Sequence, residues 1–190
     1  MANPFDLPHQ RLAAPERAAL TFMASTFRAH DEATRTHRPR AGQVKLLKES
    51  RRLIKQLSER LAHEVQERTL MVELFELIER GMPATATDVL ALQYAVPLKT
   101  VAQWLDTSPK TLSRRRAGLL GRTESDVALR FGRVFEQARE AFGTEEAARE
   151  WLTSAQPTLD SAVPVALLRT ELGARQVERA IELIDYGDYV

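Results

Sequence analysis

At 190 residues the chain has room for one or two small domains and can bury a core without covalent staples. The absence of cysteine excludes a disulfide framework and thiolate chemistry, and no apolar stretch approaches the roughly 18 residues that a membrane span needs. Charge is balanced overall but not locally: residues 1–80 hold 14 Lys and Arg against 11 Asp and Glu (net +3), residues 81–118 hold 5 against 2 (net +3), and residues 119–190 hold 8 against 13 (net −5). A basic front and an acidic back predict two kinds of partner, with merely solvated faces as the plainer alternative. The apolar residues are mostly Leu and Ala and aromatics are sparse, which favours an all-α fold. The N-terminal run Met1-Ala-Asn-Pro-Phe-Asp6 lacks the basic-then-apolar order of a signal peptide, so a cytoplasmic location is expected.

Residues 1–43 read as an N-terminal arm and a short helix. Three prolines make residues 1–15 irregular; Pro15-Glu16 then opens a helix to about residue 30, with Leu20, Met23 and Phe27 at helical spacing. Residues 30–43 are polar, contain Pro39 and Gly42, and predict a linker. From 44 to 80 there is neither Pro nor Gly, and Leu47, Ile54, Leu57, Leu61, Val65 and Val72 recur in threes and fours. One helix over this range would be roughly 55 Å long at 1.5 Å per residue. It is either a dimerising coiled coil or a helix wrapped on its own domain, with a break near Gln66–Thr69 as a further option; Lys45, Lys48, Arg51, Arg52 and Lys55 make its early half basic.

Residues 81–135 predict several short helices, stopped and started by Gly81, Pro83, Pro97 and Pro109. Residues 98–116 fit a helix-turn-helix. Val101 and Leu105 face inward from the first helix, Asp106-Thr107 makes the turn, and Leu112 anchors the second. That leaves Ser108, Lys110, Thr111, Ser113, Arg114, Arg115 and Arg116 outside or flanking, a composition suited to the DNA major groove. Lys110, Thr111 and Arg114 are the candidate base contacts, with Arg115 and Arg116 on the backbone. The competing reading of the triple arginine is a helix C-terminus complementing its dipole.

Residues 136–190 predict a small, mainly helical module. Gly143 ends a helix, Thr144 caps the next with Glu145 and Glu146 in its first turn, and Ala147, Ala148, Trp151 and Leu152 form its apolar face. Pro157 to Pro164 is a loop, Val165, Leu167 and Leu168 start a short helix, and Gly173 begins another through Val177, Ala180, Ile181 and Ile184. The chain then closes on an acidic-aromatic run, Tyr186-Gly187-Asp188-Tyr189-Val190, suited to plugging a partner's pocket; a plain frayed end is the alternative.

The order of these pieces carries a resemblance. RGMPATATDVL and SPKTLSRRRAG, then AFGTEEAAREWL, PTL and PVALLRTELGARQVERAIELIDYG, resemble the Xre-type antitoxins of RES–Xre toxin–antitoxin modules over about residues 78–190. The chain departs from the family at Gln156, where Asn is usual, and at Asp160-Ser161, where the family has a Gly-rich step. The resemblance implies a partner toxin that consumes NAD or transfers ADP-ribose, neutralised by occlusion of its NAD pocket. Tyr186 and Tyr189 would be packing anchors, Asp188 or the Val190 carboxylate would pair with a pocket arginine in place of phosphate, and Glu182 and Asp185 would add acidic complementarity. It also implies autoregulation, a homodimer on the protein's own operator DNA within a larger toxin–antitoxin complex.

Nothing in the pattern predicts an enzyme, a cofactor or a metal site. His9, His30, His37 and His63 have no His-x-x-x-His spacing, and His63-Glu64 reads as a surface pair. Glu145 and Glu146 point about 100° apart on a helix and cannot form one acid–base site. Two other readings stay open on the residues alone: a stand-alone helix-turn-helix regulator whose back half dimerises, and a scaffold with a basic helix.

Overall fold

The computed structural model describes residues 13–36, 52, 76, 78–116 and 118–185. Among them every regular element is a helix, as the composition predicts, and extended pairing is confined to two isolated bridges, Pro83 with Leu119 and Gln156 with Ala162. The expected arm over residues 1–15 lies outside the described residues up to residue 12, its end at Ala14 and Pro15 being already helical, and most of the expected long helix over 44–80 lies outside them too.

Helix α1 spans Ala14–Thr36 and is longer than its sequence predicts. The linker expected from residue 30 is helical to residue 36, because polar character alone does not break a helix and Pro39 and Gly42 come later. Leu20, Met23 and Phe27 are buried as their spacing predicts, together with Phe22. The Phe22 ring lies flat against Gly132; a methyl group there would come within 2.1 Å of the ring.

Three short helices follow: α2 (Ala86–Gln93), α3 (Leu98–Trp104) and α4 (Pro109–Arg115). Pro97 precedes α3 in extended conformation and Pro109 opens α4, as predicted. Thr85 precedes α2 without capping it; its hydroxyl donates to the Thr26 carbonyl of α1 at 3.0 Å, a buried cross-link. Leu92 points outward at 76% exposure, since two residues along a helix turn it about 200° away from the buried Leu90.

Helix α5 (Arg122–Phe142) is the axis of the molecule. Its start is fixed by Glu124, whose carboxylate accepts from the Gly121 N–H at 2.7 Å. Tyr94 packs edge-on against Trp104 at 5.1 Å and tilted against Phe135 at 5.1 Å, and its hydroxyl donates to the Phe131 carbonyl at 2.9 Å. Trp104 stacks on Phe131 at 4.7 Å, and Val101, Ala102, Leu105 and Leu112 complete this buried side.

Gly143 ends α5 in the left-handed region at φ +81°, and the Thr144 hydroxyl caps α6 (Glu145–Thr153) by accepting from the Ala147 N–H at 3.1 Å. A 3-10 turn at Pro157–Leu159 leads to α7 (Pro164–Leu167) and α8 (Glu171–Asp185). Ala148, Leu152, Leu168, Ala174, Val177 and Ile181 form the core here, and Phe142 packs on Trp151 at 5.4 Å. The boundary predicted between residues 135 and 136 falls inside α5, which both halves share.

Candidate functional site

The helix-turn-helix is assembled from α3, the turn and α4. Asp106 takes a left-handed φ of +50°, a conformation that short polar side chains tolerate better than most, and this reverses the chain. The Ser108 hydroxyl accepts from the Thr111 N–H at 3.1 Å and lies 2.9 Å from the Thr111 hydroxyl, so Ser108 caps α4. Leu112 is buried, a contribution of about 1.5–3 kcal/mol that holds α4 against the core.

At 100° per residue, Leu112 fixes what the other side chains face. Lys110 and Arg114 stand opposite it, with Ser113 and Thr111 to either side; Lys110, Ser113 and Arg114 are exposed and Thr111 is half-buried. Neither Lys110 nor Arg114 has an ion pair among the described residues. Arg115 and Arg116 flank Leu112 instead and reach back into the domain. Arg115 pairs with Glu124 at 2.8 Å, the carboxylate that caps α5, and Arg116 approaches Asp88 at 3.5 Å. The seven residues singled out are thus brought together on one short helix and its cap, yet two of the three arginines are engaged by the protein's own acids. Glu124 was readable in principle, since an acidic residue three positions after a helix start is the capping-box spacing.

The two halves are bound by charged contacts that the sequence did not disclose. On one side of α5, the Arg149 guanidinium of α6 donates to the Gln93 carbonyl at 2.7 Å, where α2 ends. The Gln93 side chain donates to the buried Glu136 at 2.8 Å, and Arg139 pairs with Glu136 at 2.7 Å. Burial pushes the Glu136 carboxyl above its ordinary value, and Arg139 only partly offsets this. On the other side, Arg130 pairs with Asp126 and with Glu171 of α8, and Arg133 pairs with Glu178 of α8 at 2.7 Å. Burial raises the Glu178 carboxyl as well.

In the acidic back half, Glu182 is exposed near the end of α8 and Asp185 is its last residue. Tyr186, Gly187, Asp188, Tyr189 and Val190 lie outside the described residues. At the two departures noted in the sequence, Asp160 and Ser161 both adopt left-handed φ, +53° and +62°. Gln156 anchors the loop by donating from its side chain to the Trp151 carbonyl at 2.7 Å, and its N–H donates to the Ala162 carbonyl at 3.0 Å. The loop therefore adopts a backbone for which glycine would be the easier residue. Among the described residues no cluster of His, Asp and Glu could hold a metal ion, and no helix is long and apolar enough to cross a membrane.

Comparison with known proteins matches both halves. Residues 73–133 match the antitoxin Xre-like helix-turn-helix domain, and residues 137–187 match the antitoxin Xre/MbcA/ParS C-terminal toxin-binding domain. The chain is also similar to "Antitoxin Xre" of Yersinia enterocolitica, with 28% identity over 117 residues, covering 60% of this chain and 79% of that protein. With a helix-turn-helix domain followed directly by a toxin-binding domain in the same order, the chain belongs to the Xre-type antitoxins.

Proposed function

We propose that this antitoxin neutralises a RES-domain, NAD-consuming toxin by occluding its active site with the C-terminal segment, and that as a homodimer it binds its own promoter as an autorepressor. The supporting observation is the presence of two differently charged parts on one framework: a basic recognition helix, and a toxin-binding domain whose helix α8 (Glu171–Asp185) directly precedes an acidic-aromatic stretch of sequence. In the toxin pocket, Tyr186 and Tyr189 act as anchors. Asp188 takes the place of a substrate phosphate on an arginine, and Glu182 and Asp185 face the basic rim.

On DNA, Lys110, Thr111 and Arg114 contact base edges from the outer face of α4, while Ser113 holds phosphate. Ser108 shapes the helix start. Arg115 and Arg116 reach the backbone only at the expense of their pairs with Glu124 and Asp88. The protein is no enzyme in this scheme and uses no cofactor.

The test is NAD content in cells expressing the cognate toxin alone, with the full chain, and with a chain ending at Asp185. The full chain should preserve NAD and the shortened chain should not, while still binding the toxin. Full protection by the shortened chain would rule out the plug. No NAD loss under toxin alone would rule out an NAD-consuming partner.

A further inference from the structure

Only one residue of the seven-residue helix α4 is buried, Leu112. A single buried side chain holds a helix against its domain but does not fix its roll about its own axis. That roll decides where the outer face points. Side chains stand about 5–6 Å from a helix axis, so a roll of about 30° carries Lys110 or Arg114 about 3 Å sideways. A specific contact holds only within about 0.5 Å of its productive geometry.

Counted at 100° per residue from Leu112, Arg115 stands about 60° to one side of the buried line and Arg116 about 40° to the other. Each is tied to a different element, Arg115 to Glu124 in the first turn of α5 and Arg116 to Asp88 in the first turn of α2. The two ties differ in quality. Arg116 is 64% exposed and 3.5 Å from Asp88, a contact that solvent weakens. Glu124 is only 15% exposed. Its Oε2 accepts from the Arg115 guanidinium at 2.8 Å and from the Gly121 N–H at 2.7 Å. One shielded, charged oxygen thus joins the last turn of α4 to the backbone that starts α5. That start is itself fixed: the Ser125 hydroxyl accepts from the Met82 N–H at 2.9 Å and donates to the Gly121 carbonyl at 2.8 Å.

We propose that Glu124 is a positioning residue for DNA recognition: acting through Arg115, it sets the roll of α4 so that Lys110, Thr111 and Arg114 meet base edges in register. The inference rests on the DNA-binding reading above and deepens it. Arg115, which its place in a run of three arginines marks as a backbone contact, serves instead to discriminate between sequences. The two roles are separable. A phosphate contact adds similar affinity on every duplex and contributes a salt slope of about 0.9. A strut adds affinity only where the bases match and leaves the slope alone.

The experiment measures binding of the full chain to its own promoter duplex and to an unrelated duplex of equal length, across a salt series. The variants are Glu124→Gln, Arg115→Met, Arg115→Lys and the double variant Glu124→Gln with Arg115→Met. Gln keeps a side-chain oxygen for the Gly121 N–H, so α5 stays capped, and thermal melts check that each variant folds. Glu124→Gln and Arg115→Met should each cut the preference for the promoter at least tenfold. The double variant should lose no more than either alone, because the two residues act as one contact. Arg115→Met should keep the parent's salt slope and its affinity for the unrelated duplex. Arg115→Lys, which keeps a cation for Glu124, should recover part of the preference. A slope reduced by about 0.9 in Arg115→Met, with equal losses on both duplexes, makes Arg115 a phosphate contact and overturns the inference. An unchanged preference in Glu124→Gln overturns it as well, and both results leave the DNA-binding reading standing. A parent chain with no preference for its promoter removes the autorepressor reading, and the inference with it.

Discussion

Substituting Gly132 with Ala tests how firmly α1 is built into the DNA-binding half. The added methyl carbon would sit 2.1, 2.2 and 2.4 Å from three carbons of the Phe22 ring. Ordinary contact begins near 3.4 Å, so α1 and α5 must separate locally by roughly 1.3 Å or the ring must leave its site. Phe22 is fully buried, so the ring cannot simply swing into solvent. Overpacking of this kind costs about 1–3 kcal/mol, and the overlap here places it at or above the upper end. Ala gains back about 1 kcal/mol over Gly as a helix former. The net expectation is a destabilisation of about 2 kcal/mol, measured by urea unfolding of the full chain. The decisive arm is Phe22→Ala combined with Gly132→Ala. Phe22→Ala alone costs about 3–5 kcal/mol through its cavity. In the double variant the methyl group enters part of that cavity, so the two costs must sum to more than the measured loss. Strict additivity, or a Gly132→Ala protein as stable as the parent, would show that α1 does not pack where it is placed.

Three further outcomes follow from the geometry. Glu136 has a folded pKa above its ordinary value of 4.5, so the stability linked to its protonation is present below that value and is lost as pH rises through the raised one. Glu136→Gln, which keeps an acceptor for Gln93, should therefore melt higher relative to the parent at pH 7 than at pH 4.5; a pH-independent difference would refute this. Ala95 holds a left-handed φ of +51° at an exposed position, so Ala95→Gly should raise stability by about 0.5–1 kcal/mol in the same unfolding assay, and a loss would contradict the backbone assignment. On operator DNA, Arg114→Ala should lose more affinity than Arg115→Ala, and Glu124→Gln should steepen the salt dependence by freeing Arg115; equal losses with an unchanged salt slope would count against the outward face described for α4.

Much of the helical framework was legible because its signals are local. Pro97, Pro109, Gly143 and Thr144 mark ends by covalent geometry or a single hydrogen bond, and each is found at the boundary it predicts. The inward set of Leu20, Met23, Phe27, Val101, Leu105 and Leu112 follows from period alone. What stayed hidden is long-range. Thr85 reaches α1, 59 residues away, and Arg149 closes α2 from 56 residues downstream. The partners of Arg115 and Arg116 likewise depend on how α4 is rotated about Leu112, which a count of arginines does not reveal. The left-handed pair at Asp160-Ser161 carries only a weak local signal, since Asp tolerates that region better than most residues but neither position is glycine.

Helix α5 belongs to both halves, and this has a consequence for assembly. At 21 residues and 1.5 Å per residue it is a rod about 32 Å long, with no hinge between the core around Phe131 and the packing of Phe142 on Trp151. Cargo held at one end keeps a fixed bearing relative to the duplex at the other. Neighbouring complexes on an operator would then meet, or miss, according to the phase of the DNA helix rather than the search volume of a tether. A single residue inserted into α5 would turn every residue beyond it by about 100° against those before it. Because α5 is buried along most of its length, such an insertion would break the shared core and disturb both binding activities together.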